Sequence, residues 1–261
     1  MVKQTSYASK VAGPDGRFDY SEGEQSVWTD LFTAQMERLQ HHACQSYLTG
    51  QSLLEMTADE VPQVVDVDAK LKDLTGAGVK AVDALIPQTE FSTLLSNRKF
   101  PVATFIRRRE HIEYIEEPDI FHECFGHCPM LTDEAFCQFM ERFGRLALDL
   151  DKSYTKRLFR LFWFTVEFGL IREDGELKAF GAGLMSSPSE LANAMSDDPE
   201  ILPFDLMTVL RTDYRIDIVQ PVYFVIDSFE ALVAALDVDI RAALDEATRK
   251  GDLPPRFPAA A

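Results

Sequence analysis

The stretch SEGEQSVWTDLFTAQM (21–36) sets the architecture. Ser21 with Glu24 three residues later is the signature of a capping box, and Trp28, Leu31, Phe32 and Met36 recur at helical spacing behind it. The same periodicity predicts helices over 68–74, 133–148, 155–170, 188–195 and 228–247. The runs 215–219 and 222–226 read as short strands. Outside these elements, AGPDG (12–16) and PPRFP (254–258) are turn chemistry that cannot continue a helix, so both ends are expected at the surface. No solenoid repeat, low-complexity tract or long linker divides the chain. The expectation is a mainly α fold, one compact helical domain over residues 1–261 with a few short β-strands.

Composition narrows the function. A chain of 261 residues with 46% hydrophobic content can bury one substantial core. Forty-three acidic against 26 basic side chains give a net charge of -17, which repels phosphate backbones and anionic lipid, so neither nucleic acid nor membrane is an expected partner. No apolar run approaches the roughly 18 residues of a membrane span, and MVKQTSYASK lacks the apolar stretch of a secretory signal, which points to the cytoplasm. Cys124, Cys128 and Cys137 crowd together while Cys44 stands apart, a poor distribution for disulfide staples.

The chemistry concentrates in EPDIFHECFGHCPML (117–131), which holds two of the five histidines, His122 and His127, with Glu123 beside the first. Imidazole is a good ligand for iron, zinc and copper. A zinc protease would space its histidines four apart, on one helical face; five residues put them roughly 140° apart on a regular α-helix. One metal can take both rings only near a helix end or distortion, and Gly126 and Pro129 are candidates for that break. In LFWFTVEFGL (161–170), Glu167 is the only ionisable residue of an apolar stretch, and a buried lone carboxylate needs a cation or a metal. Two histidines and a carboxylate would make the facial triad of non-haem iron(II) enzymes. Spacing alone leaves other readings open: a zinc hydrolase with Glu123 as general base, a closed zinc site using Cys124 and Cys128, or Glu167 paired with Arg160 or Arg172.

With these segments in view, the sequence resembles the pterin-dependent aromatic amino acid hydroxylases, in particular their short bacterial phenylalanine-hydroxylating members. The match runs from about Phe18 to Phe229 and rests on EPDIFHECFGHCPML, LFWFTVEFGL, KAFGAGLMSS (178–187) and YRIDIVQPVYFVIDSF (214–229), in the family's order. The resemblance implies that His122, His127 and Glu167 bind catalytic iron(II), and that a tetrahydropterin supplies electrons while O2 is activated to hydroxylate L-phenylalanine. It implies that Arg107 grips the substrate carboxylate with Ser186 as second contact, that Asp119 orients the arginine, and that Pro118, Trp163, Phe168 and Gly183 line the substrate site. For the pterin it implies Phe91 as stacking aromatic, with Glu123 and the backbone of Leu85 and Ile86 alongside.

The sequence departs from the family pattern in places. Phe162 stands where many members carry tyrosine near the iron, which removes a hydroxyl and puts coupling of pterin oxidation to hydroxylation in question. Pro87 and Gln88 replace serines of the animal enzymes. Trp163 favours phenylalanine over tryptophan as substrate, because tryptophan hydroxylases usually carry a smaller aromatic there; the same chemistry on tryptophan or at the 3-position of phenylalanine is the alternative. Nothing in the sequence matches the animal enzymes' regulatory region or C-terminal oligomerisation helix, so a monomer is expected.

Overall fold

The structure, a computed structural model, describes residues 7–83, 86–113, 115 and 117–257. In chain order it contains α1 (Glu22–His42), α2 (Gln45–Leu54), α3 (Val64–Thr75), β1 (Gly78–Val82), α4 (Gln88–Ser96), β2 (Lys99–Ala103), a π-helical turn Phe121–His127, α5 (Glu134–Asp149) and α6 (Thr155–Phe162). A second π-helical turn, Trp163–Glu167, follows without a break. Then come β3 (Leu170–Glu173), β4 (Glu176–Ala179), α7 (Ala182–Ser186), α8 (Pro188–Ala194), β5 (Glu200–Pro203), α9 (Leu206–Arg211), β6 (Val222–Ile226), α10 (Phe229–Ala234) and α11 (Ile240–Lys250). The fold is mainly helical, as the periodicity predicts. No helix among the described residues is long and apolar enough to cross a membrane.

Helix α1 starts at the predicted capping box: Ser21 accepts from the Glu24 backbone, and the Glu24 carboxylate accepts from Ser21 N at 2.8 Å. Its buried face sets Trp28 edge-on to Phe121 and Phe125, at centroid distances of 5.5 and 6.5 Å, so this helix carries the first π turn on aromatic contacts. One large cluster of buried apolar side chains runs from Phe18 to Ala247, with a small satellite at Tyr7, Ala103 and Phe105.

A four-stranded sheet of order β4-β3-β6-β5 forms the frame behind the second π turn. Strand β3 pairs antiparallel with β4 and parallel with β6, and β5 pairs parallel with β6. The β3–β4 hairpin turns through Asp174 and Gly175, both at positive φ, the backbone that a two-residue turn demands. It returns the chain from Glu167 to α7, the helix that packs on the first π turn. A smaller parallel pair, β1-β2, lies in the N-terminal half.

Three expected elements differ. The helix over 155–170 ends at Glu167, because a Cβ at Gly169 would sit 2.1 Å from the Phe180 ring and 2.4 Å from Thr165 O; the chain turns there into β3. The helix over 228–247 is two helices, since Ser228 caps α10 and Asp239 caps α11 separately. The run 215–219 is not a strand: the carbonyls of Arg215 and Ile218 accept from the Gln220 side chain, and Ile216 and Val219 are exposed. By contrast, 222–226 is β6, with every residue buried, and 188–195 and 133–148 coincide with α8 and α5 to within a residue.

Close packing between the hairpin and the second π turn is set by Gly181, where a Cβ would lie 2.4 Å from Glu167 O and 2.5 Å from Gly169 N. Backbone atoms cannot swing aside as a flexible side chain can. Gly181→Ala is therefore expected to cost about 1–3 kcal/mol and to lower the melting temperature by several degrees. Calorimetry of the two proteins checks this, and an unchanged melting temperature would show that the contact is not tight.

Candidate active site

The two π turns resolve the spacing problem of the histidine pair. A π turn closes its backbone bonds between residues five apart, so residues i and i+5 share a face, which an α-helix denies them. Phe121–His127 is π-helical throughout, and the Nε2 atoms of His122 and His127 stand 3.2 Å apart. Pro129 contributes because it has no N–H to give to Phe125 O; that carbonyl instead accepts from Tyr47 OH at 2.8 Å, and Gln51 Nε2 donates to the phenol oxygen at 3.0 Å. Gly126 acts differently from the helix break expected of it: a Cβ there would meet Ala182 O at 3.0 Å, so its bareness lets α7 lie close.

The second π turn is marked by Phe168 N donating to Trp163 O at 2.9 Å, five residues back, and it delivers Glu167 to the imidazoles. Glu167 Oε1 is 3.3 Å from His127 Nε2, and Oε2 is 3.6 Å from His122 Nε2. Arg160 and Arg172 are engaged elsewhere, Arg160 with Asp252 and Asp213, Arg172 with Gly175 O. Two ligands at neighbouring octahedral positions with bonds of about 2.1 Å would lie about 3 Å apart; the two imidazole nitrogens have that spacing, and Glu167 presents one oxygen to each ring, so the three side chains can hold one first-row metal ion.

A second carboxylate, Glu123, also groups with the two histidines, but its nearest approach to His127 Nε2 is 4.0 Å. Electrostatics separates the two acids. Burial pushes the Glu123 carboxyl well above the usual range, helped by the neighbouring Glu167 charge. Burial also acts upward on Glu167, yet the imidazoles of His127 and His122 outweigh it and hold that group below the usual range, as an anion. Burial lowers His122 to about 4, which keeps its ring neutral and able to ligate. The cysteines do not join this group: all four are buried and free, and burial keeps Cys128 a thiol, with Sγ donating to Glu123 O at 3.4 Å.

His122 and Glu167 open onto a cavity of about 320 Å³. Of the residues expected around a substrate, Arg107, Pro118, Trp163, Phe168, Gly183 and Ser186 all line it. Asp119 does not; it lies fully buried behind Arg107 as the orienting group. Its Oδ2 accepts from Arg107 Nε at 2.8 Å and Arg107 N at 2.9 Å, and its Oδ1 from Nη2 at 2.9 Å and from His122 N at 3.1 Å. One carboxylate thus ties the arginine to the first π turn. Ser186 Oγ lies 2.8 Å from His122 Nδ1 and donates to Ala182 O at 2.8 Å. Gly183 leaves room for the Phe168 ring, which a Cβ would meet at 2.7 Å.

The expected pterin residues lie apart from this lining. Phe91 is half-buried against Phe100, Phe159 and Phe162, and Phe100 in turn tilts over the His127 ring at 4.3 Å. Phe162 is buried within this apolar cluster. Ile86 borders a separate cavity with Lys10, Glu90 and Thr104, and Gln88 Nε2 donates to Thr155 Oγ1. Leu85 lies outside the described residues. Sequence reasoning missed further lining residues, Glu113, Ile115, Glu117, Glu190, Ile216 and Gln220. Only Gln220 carried a signal, as a polar residue before a proline that opens an apolar strand.

The Arg107–Asp119 pair is testable in two ways. Burial acts to raise Asp119, but the Arg107 guanidinium and the backbone donors win and hold it below the usual range. A depressed carboxyl contributes stability that is full above its unfolded value of about 3.9 and is lost as pH falls through the folded value. Asp119→Ala should cost about 3–5 kcal/mol in urea unfolding at neutral pH, since it strands a buried cation, and should flatten the acid limb of the stability curve. A loss below about 1 kcal/mol would contradict the pairing.

The profile of the biopterin-dependent aromatic amino acid hydroxylases matches residues 1–240. Phenylalanine-4-hydroxylase of Vibrio cholerae is 44% identical over 254 residues, 97% of this chain and 88% of that protein. The solved phenylalanine hydroxylase of Legionella pneumophila superposes with a TM-score of 0.93 at 43% identity, covering 96% of this chain and 100% of that one. The phenylalanine hydroxylase of Chromobacterium violaceum, solved with bound oxidised Fe(III), gives 0.89 at 35% identity over 96% and 91% of the two chains. With its histidine pair on a π turn, its acid on a second and an arginine-bearing cavity beside them, the chain belongs to the biopterin-dependent aromatic amino acid hydroxylases.

Proposed function

We propose that the chain hydroxylates L-phenylalanine to L-tyrosine with O2, Fe(II) and a tetrahydropterin. The observation that carries this is the convergence of His122, His127 and Glu167, with His122 and Glu167 at the wall of a cavity that Arg107 also lines. These three residues would hold the iron, which when bound supplies the activation of oxygen. The pterin supplies two electrons and is assigned to Phe91, Ile86, Leu85 and Glu123.

The chain's own residues bind, orient and exclude water. Arg107 gives its Nε and Nη2 to Asp119, while Nη1 makes only a long contact, 3.5 Å to Ile112 O, which an amino acid carboxylate would displace for a charge-assisted bond in a sheltered site. Trp163, Phe168 and Pro118 form the apolar walls for the ring, and Gly183 keeps Phe168 in place. With the metal on Nε2, the His122 proton sits on Nδ1 and is donated to Ser186 Oγ, whose own proton goes to Ala182 O. A substrate carboxylate at Ser186 would compete with Ala182 O for that hydroxyl. The rest of the proposal is a single catalytic unit that works as a monomer in the cytoplasm on small molecules.

Anaerobic Fe(II) loading followed by O2, a tetrahydropterin and L-phenylalanine should yield tyrosine in step with pterin oxidised; pterin oxidation with tryptophan alone hydroxylated would overturn the substrate. Arg107→Ala should raise KM for the amino acid roughly ten- to hundredfold, the worth of about 1.5–3 kcal/mol for a hydrogen bond to a charged group, with KM for the pterin little changed. An unchanged amino acid KM would remove Arg107 from the site.

A further inference from the structure

We propose that Gln220 is a positioning residue for the substrate ring, one that sets the width of the aromatic slot and so the preference for phenylalanine over the larger tryptophan. The proposal deepens the phenylalanine reading above and rests on it.

Gln220 is buried and uses its whole amide. Its Oε1 accepts from Trp163 Nε1 at 3.0 Å, while Nε2 donates to Arg215 O and to Ile218 O, each at 2.9 Å. Its backbone is fixed as well: N donates to Glu190 Oε2 at 3.3 Å, and O accepts from Asn193 Nδ2 at 2.9 Å. Glu190 also accepts from Tyr223 OH at 2.7 Å, which anchors the arrangement to α8 and β6. One acceptor and two donors in a plane are what a primary amide offers, and no carboxylate or ammonium supplies both.

The groups that Gln220 holds are cavity walls. Trp163 lines the cavity with one face stacked on Tyr214, centroids 4.3 Å apart and planes at 12°, and with Phe168 at 4.6 Å. Stacking fixes the plane of the indole but leaves it free to slide, and the Nε1 bond fixes that remaining degree of freedom. Segment 215–219 brings Ile216 to the same cavity although Ile216 is 61% exposed, and no strand ladder holds it. The Gln220 amide restrains the segment's backbone at Arg215 O and Ile218 O. A single side chain therefore sets the positions of two apolar groups that a substrate ring would touch, and a preorganised slot loses less on binding than one that must be ordered.

Two variants and a substrate-free measurement test this. Gln220→Leu removes all three side-chain bonds; it should raise KM for L-phenylalanine about tenfold, lower kcat less than threefold, and reduce the ratio of kcat/KM for phenylalanine over tryptophan at least fivefold. Gln220→Glu keeps the indole acceptor and loses both donors, so its selectivity should fall between the two. Acrylamide quenching reads the clamp directly, because Trp28, the other tryptophan, is fully buried; Gln220→Leu should increase quenching and Gln220→Glu should not. A purely structural role would lower the melting temperature without moving the selectivity ratio. A folded Gln220→Leu with KM, selectivity and quenching within twofold of wild type overturns the proposal. If that variant does not fold, Gln220→Glu and Trp163→Phe take its place, and wild-type selectivity in both overturns it. A wild-type chain that forms no tyrosine refutes the functional reading instead, and the quenching comparison still decides whether Gln220 holds Trp163.

Discussion

A single backbone constraint underlies the site: two side chains five residues apart cannot share a face of an α-helix. His122 and His127 meet at 3.2 Å only because the helix widens into a π turn, and that turn leaves backbone groups to be satisfied from outside. Pro129 withdraws a donor, and Tyr47 replaces it on Phe125 O with Gln51 behind. The aromatic seat formed by Trp28, Phe121 and Phe125 carries the turn, and Gly126 admits α7 against it. The second π turn repeats the device on α6, delivering Glu167 from the opposite side while Gly169 and Gly181 let the β3–β4 hairpin close behind it. Much of the molecule is thus scaffolding for three side chains whose spacing a regular helix would forbid.

Burial then decides which charges survive. Besides the histidines, Glu123, Glu167, Asp119 and Arg107 stand at or behind the donor cluster in a protein of net charge -17, and their fates differ. Burial and the Glu167 charge push Glu123 upward, the two imidazoles hold Glu167 below the usual range, and Asp119 and Arg107 neutralise each other. The outcome is a site in which the Glu167 carboxylate faces both imidazoles and the Arg107 guanidinium keeps only a long Nη1 contact, 3.5 Å to Ile112 O, on its remaining side. Acidity elsewhere on the surface takes no part in this.

The helical class, the capping box at Ser21 and the candidate ligands His122, His127 and Glu167 were legible in the sequence, because apolar periodicity and isolated polar residues in apolar runs are local signals; the lining role of Trp163 and Phe168 came only from the family resemblance, since in an apolar run they read as core. The π turns were legible only as a contradiction, a histidine spacing that no regular helix serves. The β3–β4 hairpin was readable from Asp174-Gly175, a dipeptide suited to positive φ, yet the helical pattern of the preceding run masked it. Segment 215–219 alternates like a strand but is held by a side chain, and the break at 235–239 depends on the Asp239 cap rather than on periodicity. Glu190 and Ile216 join the cavity through tertiary contacts far along the chain, which no local pattern encodes, and Gln220 is marked locally only by its place before Pro221.

The central claim is that Glu167, and not the adjacent Glu123, completes the donor set with His122 and His127. Equilibrium dialysis of Fe(II) or Co(II) under anaerobic conditions against wild type, Glu167→Gln and Glu123→Gln tests it most directly. The account predicts that wild type and Glu123→Gln each retain one ion per chain while Glu167→Gln retains none. Retention by Glu167→Gln together with loss in Glu123→Gln would contradict it.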